Sequence, residues 1–282
     1  MRAIHINWTK PFFCKKGDVP YKIDDFDALT TILSALTWRH FNGDVKLYTD
    51  RAGYDFYASL GLLNLWNGGI DVDVLQRIPD NINPKIFWAA AKIFALRAEQ
   101  SPVVMLDTDL MVWKSLEEEL KGVRVAAFHS EPLETDCYIP FELLKKRPGY
   151  MPDPDWDWTV LPSNTALAYF GDEEFKRSYT DAAIDFMTDN QEMPMEMVSQ
   201  MVFAEQRMLS MCAKKQGIPI HLFLELMYNG ETNDFTHIWG AKDIARKDED
   251  FHKELITSIM EAIQREFPSY RFQQEFLDYY HL

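Results

Sequence analysis

The first half of the chain alternates short apolar segments with longer segments in which apolar residues recur every three or four positions. The segments Ala3–Asn7, Val45–Thr49 and Val103–Leu106 have the length and composition of buried strands, and Asp25–Phe41 has the spacing of a helix. Strands that alternate with helices are typical of a mostly parallel sheet with helices on its faces. We therefore predict an α/β fold.

The other predicted elements are shorter or less regular. We predict further strands over 70–75, 123–128, 165–170 and 218–224, and helices over 54–63, from Asn83-Pro84 onward, over 172–187 and 195–216, and from 248 to the end with a break at Pro268. Loops are predicted over 8–20 and 148–162. No repeat or linker interrupts the chain, so 1–282 is predicted to be a single domain.

The segment Val103–Leu106 ends directly in two acids, Asp107 and Asp109. Residues two apart in a strand share a face, so both carboxylates can turn toward one point at the carboxyl edge of the sheet. Oxygen ligands that converge there suit a divalent cation, and such a cation suits a bound diphosphate. The same spacing of aspartates occurs at five other places, where we expect solvated charge, because none of them follows a helix, a turn and an apolar strand.

The charge and the cysteines limit the partners and the compartment. The formal net charge of −15 argues against nucleic acid and anionic membranes as partners, since both need a basic face. The three cysteines have no disulfide or zinc spacing, which favours a reducing compartment. The amino terminus has no signal-peptide core, and no apolar run reaches the roughly 18 residues of a transmembrane helix. We expect a soluble cytoplasmic protein without a transmembrane segment.

A second polar motif lies near the carboxyl terminus. His237 offers a neutral nitrogen to a metal, Gly240 allows backbone to approach a phosphate, and Lys242 can neutralise one. Two carboxylates and one imidazole with open positions for phosphate oxygens suit an octahedral manganese site. The sequence therefore predicts that this motif joins the acid pair in space.

Four local patterns, in the same order along the chain, resemble those of GT-A fold glycosyltransferases, most closely glycosyltransferase family 8 and its relatives. They are the acid pair after Val103–Leu106, the stretch Ser163-Asn164-Thr165-Ala166, the pair Glu205-Gln206, and His237-x-x-Gly240-x-Lys242. The chain departs from the family where Lys242 lies one residue closer to the histidine and is not followed by Pro-Trp. It also has Thr165 where glycine is common and Glu205 where aspartate is usual. These differences indicate a distant branch.

The resemblance implies a GT-A fold, related to the nucleotide-diphospho-sugar transferases, and a metal-bound donor. Asp107, Asp109 and His237 would hold Mn²⁺, or Mg²⁺, against the diphosphate of a nucleotide sugar, with UDP-sugar as the expected donor. Gly240 and Lys242 would close over that diphosphate. The half 1–128 would bind the nucleotide and the half 129–282 the acceptor.

The resemblance also implies roles on either side of the metal. Asn7 and Thr9 would line the base and ribose site, and Lys92 would face the donor, with a surface lysine as the alternative. The residues that would border the reacting carbon and the acceptor hydroxyl are Asn164, Glu205 and Gln206. Family 8 implies transfer with retention, whereas inversion would need a carboxylate base, for which Asp136, Asp155 and Glu205 are the candidates.

The implied function is transfer of a sugar to a carbohydrate or another hydroxyl acceptor. The alternative is a catalytically inactive GT-A-like protein that binds a sugar nucleotide or a glycan. An aspartyl phosphatase is disfavoured because its acid pair follows the first strand, and a dinucleotide oxidoreductase lacks its Gly-x-Gly-x-x-Gly pattern here.

Two aromatic regions have open interpretations. Tyr150, Trp156 and Trp158 form either a platform for an acceptor sugar or anchors for a long loop. The tail 270–280 has apolar residues at helical spacing, which indicates packing on the domain or a homodimer contact rather than membrane docking.

Overall fold

A computed structural model describes residues 1–224 and 233–282 of the chain. The strands in these residues are β1 (Ala3–Asn7), β2 (Val45–Thr49), β3 (Ile70–Asp71), β4 (Val103–Leu106), β5 (Leu110–Val112), β6 (Val125–Ala127), β7 (Leu167–Phe170), β8 (Ile220–Leu222) and β9 (Phe235–His237). The α-helices are α1 (Lys10–Lys16), α2 (Asp25–Phe41), α3 (Arg51–Ser59), α4 (Ala90–Ala98), α5 (Glu173–Met187), α6 (Ser199–Val202), α7 (Met208–Lys215), α8 (Trp239–Ala245), α9 (Glu249–Glu266) and α10 (Gln274–Tyr280).

Of the strands in the described residues, seven form one sheet in the order β3-β2-β1-β4-β7-β6-β8, and β5 pairs with β9 in a separate antiparallel ribbon. Within the large sheet only β7 runs against its neighbours, since it is antiparallel to both β4 and β6 while the other pairs are parallel. The carboxyl ends of the other six strands therefore meet at one edge. The predicted α/β fold with a mostly parallel sheet is confirmed.

The core lies on both faces of the sheet. In β4 the side chains of Val103 and Met105 pack into the cluster with α4, α5 and α7, and those of Val104 and Leu106 pack into the cluster with α2 and α9. This alternation follows from the two-residue repeat of a strand. A strand buried on both faces must be apolar throughout, which is why β4 reads as a continuous apolar run.

The elements with the strongest patterns have the predicted bounds: β1, β2, β4 and α2 begin and end as expected. The predicted helix 172–187 is α5, and its first turn is capped by the Asp172 carboxylate, which accepts from the N–H of Phe175 at 2.9 Å. The break predicted at Pro268 separates α9 from α10. Among the described residues no helix combines the length and the apolar character needed to span a membrane.

The helix predicted from Asn83-Pro84 is present as α4, but its predicted start is wrong, since residues 83–89 form turns and α4 begins at Ala90. The carbonyl of Asn83 accepts from the N–H groups of Ile86 and Phe87, whose side chains are fully buried. Packing of these two side chains outweighs the local capping preference, because propensities are small beside burial.

Three other predictions differ in extent. The strand over 70–75 ends at Asp71, because the Asp71 carboxylate accepts from the N–H groups of Asp73 and Val74 and turns the chain. The loop over 8–20 contains α1, in which a proline occupies the first turn, where it is tolerated. The single helix over 195–216 is α6, a π-helical turn over Phe203–Arg207 and α7.

Candidate functional site

The carboxyl edge of the sheet collects polar side chains from several strands. Asp107 and Asp109 follow β4, and because β7 is antiparallel to β4, its beginning lies at the same edge. The backbone N–H of Asp107 donates to the carbonyl of Ala166 at 2.8 Å. The topology therefore brings the acid pair beside the stretch that contains Asn164.

The β5–β9 ribbon brings the carboxy-terminal motif to the acid pair. Leu110 pairs with His237, and the N–H of Ile238 donates to the carbonyl of Asp109 at 3.1 Å. His237 Nε2 then lies 3.7 Å from Asp109 Oδ1, and Lys242 Nζ lies 2.9 Å from Asp109 Oδ2. Residues far apart in sequence thus meet at one carboxylate.

Lys242 also contacts α2, at 2.7 Å from Asp27 Oδ1. Its side chain is mostly buried between the two acids. Burial lowers the pKa of Lys242, but Asp109 and Asp27 outweigh burial, so the pKa is raised. The ammonium is therefore firmly charged at neutral pH.

A second ion cluster surrounds Asp107. Lys92 on α4 places its Nζ 2.6 Å from Asp107 Oδ1 and 2.9 Å from Glu205 Oε1. Glu205 lies on the π-helical turn and is only 3% exposed; its Oε1 also accepts from the Thr165 hydroxyl at 2.6 Å. The hydroxyl of Tyr179 donates to the Glu205 carbonyl at 2.7 Å, which anchors the turn. The Lys92 side chain is only 16% exposed and contacts these acids, which disfavours the alternative that it is a surface lysine.

The two aspartates differ in proton affinity. Burial raises the pKa of Asp107, and the nearby Asp109 and Glu205 carboxylates keep it raised in spite of Lys92. Burial also raises the pKa of Asp109, but His237 and Lys242 outweigh burial, so the pKa of Asp109 is lowered. Burial lowers the pKa of Lys92, yet Asp107 and Glu205 hold that pKa above its usual value. Asp109 is therefore the more firmly ionised carboxylate of the pair.

The side chains of Asp107, Asp109 and His237 have the chemistry of ligands for a divalent cation but not the arrangement of a ready metal site. His237 Nε2 is buried and has no hydrogen-bond partner among the described residues, so it is available to a ligand on the side of Asp109. Two carboxylates and an imidazole are donor types that suit manganese. In residues 1–224 and 233–282, however, no three such side chains are arranged as a ready metal site. Lys92 and Lys242 contact carboxylate oxygens that a cation would use.

Asn164 and Gln206 lie beside residues that the sequence analysis did not identify. Asn164 Nδ2 donates to Glu131 Oε1 at 2.8 Å, and the Tyr138 hydroxyl donates to Gln206 Oε1. His129 is buried beside Glu131, with its Nδ1 3.9 Å from Glu131 Oε1. A signal for this group was present, since polar residues 129–131 follow a predicted buried strand.

Asn7 and Thr9 lie at the end of β1, as predicted, and both are held by neighbouring side chains. The Thr9 hydroxyl and N–H bind the Asp50 carboxylate, at 2.9 and 2.8 Å. Asn7 Oδ1 accepts from the Tyr21 hydroxyl at 2.8 Å, whereas Asn7 Nδ2 has no hydrogen-bond partner among residues 1–224 and 233–282. The buried Thr49 hydroxyl at the end of β2 likewise has no hydrogen-bond partner in the described part of the chain.

The remaining candidates are spread over the second half of the chain. Tyr150 and Trp156 are buried and anchor their loop to the core, whereas Trp158 is half-buried. Asp136 and Asp155 are exposed, and Asp155 lies 3.4 Å from Lys215. Gly240 is exposed in the first turn of α8.

Comparison with known proteins identifies a family and several similar folds. A family model described as "Family of unknown function (DUF6734)" matches residues 1–272. No curated protein matches the chain. The solved structures that match include mouse xyloside xylosyltransferase 1 in its apo form, at 13% identity over 79% of this chain and 84% of that chain, with a TM-score of 0.38.

Two further matches come from bacteria. The apo form of the glycosyltransferase GlyE of Streptococcus pneumoniae TIGR4 is 13% identical over 80% of this chain, which spans 44% of that chain, with a TM-score of 0.39. The inositol-1-phosphate CTP transferase of T. maritima is 13% identical over 92% of this chain and 96% of that chain, with a TM-score of 0.41.

Proposed function

The chain belongs to the family of unknown function DUF6734, and since that description assigns no activity, we propose a function from the site itself. The protein is a metal-dependent glycosyltransferase that moves a sugar from a nucleotide-diphosphate sugar, with UDP-sugar as donor, to an acceptor hydroxyl. The observation that carries this proposal is the meeting of Asp109, His237 and Lys242 at the carboxyl edge of the sheet, beside Asp107 and Glu205.

Asp107, Asp109 and His237 would hold Mn²⁺ or Mg²⁺, which when bound supplies positive charge to the departing diphosphate. His237 Nε2, which has no hydrogen-bond partner in the part of the chain that the structure describes, supports this assignment. Lys242 and Lys92 would then contact oxygen atoms of the nucleotide sugar instead of the carboxylates. This change of contacts is favourable only if the cation and the diphosphate bind together. Either of them alone would leave buried charges without a partner of opposite sign.

The acidic chain supports a cation at the site. With a net charge of −15, the protein repels an anionic donor unless local positive charge offsets the acids. Glycosyl transfer leaves negative charge on the leaving group while the sugar carbon becomes more positive. Lys242 and the backbone around Gly240 would stabilise the negative charge on the leaving group. Glu205 and Gln206 would lie near the more positive sugar carbon.

Transfer with retention is part of the proposal. The Glu205 carboxylate is engaged by Lys92 and Thr165, so it would orient the site rather than accept a proton from the acceptor. Asn164 and Gln206 would then position the acceptor hydroxyl beside the reacting carbon.

The proposal is tested by thermal unfolding with UDP, with and without manganese. We expect stabilisation only when both are present, and Asp109→Asn should abolish it. A screen of sugar nucleotides should then detect manganese-dependent UDP release, which Asp109→Asn should reduce about 10²- to 10³-fold, since one preorganised group contributes about 2.7–4 kcal/mol in other enzymes.

Asp250→Asn is the matched control, because Asp250 also belongs to an Asp-x-Asp pair, with Asp248, but is exposed and has no proposed role. Its stabilisation and turnover should equal those of the unaltered protein. Equal stabilisation by UDP in the presence of a chelator would exclude the proposed role of the acid pair. Binding without turnover across the donor panel would favour the inactive, ligand-binding alternative.

A further inference from the structure

A cleft of about 500 Å³ opens next to the turn that carries Glu205 and Gln206. The side chains that form its walls are largely apolar or aromatic and include Leu133, Tyr138, Ile139, Phe141, Trp158 and Phe203. The rings of Trp158 and Phe203 are stacked, with centroids 5.9 Å apart and planes at 12°. Clefts of this size and lining are typical of small-molecule sites.

The cleft is continuous with the proposed reaction site. Tyr138 lines the cleft, and its hydroxyl donates to Gln206 Oε1. Phe203 and Gln206 belong to the same π-helical turn. A ligand in the cleft would therefore lie beside the groups that we assign to the acceptor hydroxyl.

Two polar side chains of the cleft wall, Arg207 and Tyr138, are already bonded within the protein, and the third, Glu142, is exposed to solvent. The guanidinium of Arg207 donates to the carbonyl of Trp158 at 2.8 Å and to that of Val160. The Tyr138 hydroxyl is likewise bonded to Gln206. A sugar ring needs several free hydrogen-bonding partners when it is desolvated, whereas an apolar group needs none. The lining therefore suits an uncharged apolar group better than a sugar.

Two large apolar side chains next to residues of the cleft wall are exposed. Leu143 is 55% exposed and Met151 is 80% exposed, and they directly adjoin the lining residues Glu142 and Pro152 in sequence. Exposed apolar area close to a cleft favours an apolar ligand, because binding removes that area from water.

We propose that the acceptor is a hydroxyl compound that carries an uncharged aryl or alkyl group, and that this group fills the cleft while the hydroxyl faces Gln206. The proposal rests on the proposed function for the transfer step, but binding in the cleft needs no donor. It names the acceptor by its chemistry: a hydroxyl at one end and an apolar body at the other.

The test compares phenyl β-D-glucoside with methyl β-D-glucoside, which share the sugar and differ in the apolar group. Calorimetric titration without donor should show binding of the phenyl compound at least tenfold tighter than binding of the methyl compound. Leu133→Trp, which fills the cleft, and Phe141→Ala, which removes a wall, should each reduce this ratio to near one. Met195→Ala is the control outside the cleft lining, at an 82% exposed side chain, and should leave the ratio unchanged.

Equal affinity for the two glucosides, binding of neither, or a tenfold ratio that survives both cleft variants would overturn the proposal. If one cleft variant does not fold, the other decides. UDP and manganese stabilisation is measured on the same proteins and should persist in all of them. If UDP and manganese do not stabilise the protein but the tenfold affinity ratio is intact, only the proposed function is contradicted. If UDP and manganese stabilise the protein but the affinity ratio is lost, only the acceptor proposal is contradicted.

Discussion

At the scale of single residues, Lys92 is the cation on which two acids depend. It contacts Asp107 and Glu205 from α4, in a cluster where Glu205 is almost fully buried. Removing one partner of a buried ion pair leaves the remaining charge without compensation, which costs far more than losing an exposed pair. Measurements of the free energy of unfolding should therefore distinguish the ion pairs of Lys92 from an exposed ion pair.

We predict that Lys92→Met lowers the free energy of unfolding by about 3–5 kcal/mol, because two carboxylates remain buried without their cation. Urea unfolding monitored by tryptophan fluorescence measures this change. Adding Glu205→Gln to Lys92→Met should recover a large part of the loss, since it removes one of the unpaired charges.

Lys10→Met is the control for this prediction. Lys10 pairs with Asp80 at 2.7 Å, but both side chains are exposed, so the free energy of unfolding should hardly change. A Lys92→Met protein as stable as Lys10→Met would show that the cluster is not electrostatically coupled.

At the scale of elements, two helices begin at the sheet edge with a glycine in their first turn. In α3, a Cβ on Gly53 would lie 2.1 Å from the Thr49 hydroxyl and 3.0 Å from Asn7 Nδ2. In α8, a Cβ on Gly240 would meet no atom of the described residues within 4 Å. The first glycine is thus required by packing within the protein, whereas the second leaves open space.

We predict opposite effects on unfolding for alanine at these two positions. Gly53→Ala should destabilise the protein by about 1–3 kcal/mol, because overpacking outweighs the better helix propensity of alanine. Gly240→Ala should be neutral or stabilising by up to about 1 kcal/mol, because only the propensity changes. Thermal and urea unfolding of the ligand-free proteins measure both.

The same pair of variants tests the assignment of Gly240. If the backbone of α8 approaches the diphosphate, Gly240→Ala should weaken stabilisation by UDP and manganese even though the ligand-free protein is intact. Undiminished stabilisation would remove Gly240 from the donor site while leaving Asp109 in place.

At the scale of the whole molecule, a buried hydrogen-bond chain joins the sheet to the helix layer behind the acid pair. The indole of Trp66 donates to His5 Nδ1 at 3.3 Å, and His5 Nε2 lies 3.3 Å from the Ser34 hydroxyl. That hydroxyl donates to the carbonyl of Leu110 at 2.7 Å, one residue beyond Asp109. Burial lowers the pKa of His5 to about 3, so the imidazole stays neutral in the folded protein.

We predict that His5 makes stability fall as the pH drops from 6.5 toward 3. The unfolded chain binds a proton at His5 in this range and the folded chain does not, so each pH unit costs up to about 1.4 kcal/mol. Between pH 7.5 and 5.0 this amounts to about 2 kcal/mol. Urea unfolding at the two pH values should show that the loss is smaller by this amount in His5→Gln. An equal loss in both proteins would show that His5 accepts a proton while folded.

The sequence by itself determined the α/β class, the bounds of β1, β2, β4 and α2, and the position of the acid pair after β4. These follow from short-range physics, since a strand buried on both faces is apolar throughout and a helix shows its buried face every three or four residues. The predicted end of β3 was wrong because hydrogen bonds to the Asp71 side chain turn the chain there. The predicted start of α4 was wrong because burial of Ile86 and Phe87 outweighs the capping preference of Asn83.

Only the tertiary structure decided which charges meet. The ribbon of β5 and β9 brings His237 and Lys242 to Asp109, the antiparallel β7 places Asn164 at the same edge, and a π-helical turn sets Glu205 against Lys92. Glu131 and Tyr138 join the site from a loop with no periodic pattern. A carboxylate's partners depend on distances of a few ångströms between segments far apart in the chain, and residue order along the chain does not specify such distances.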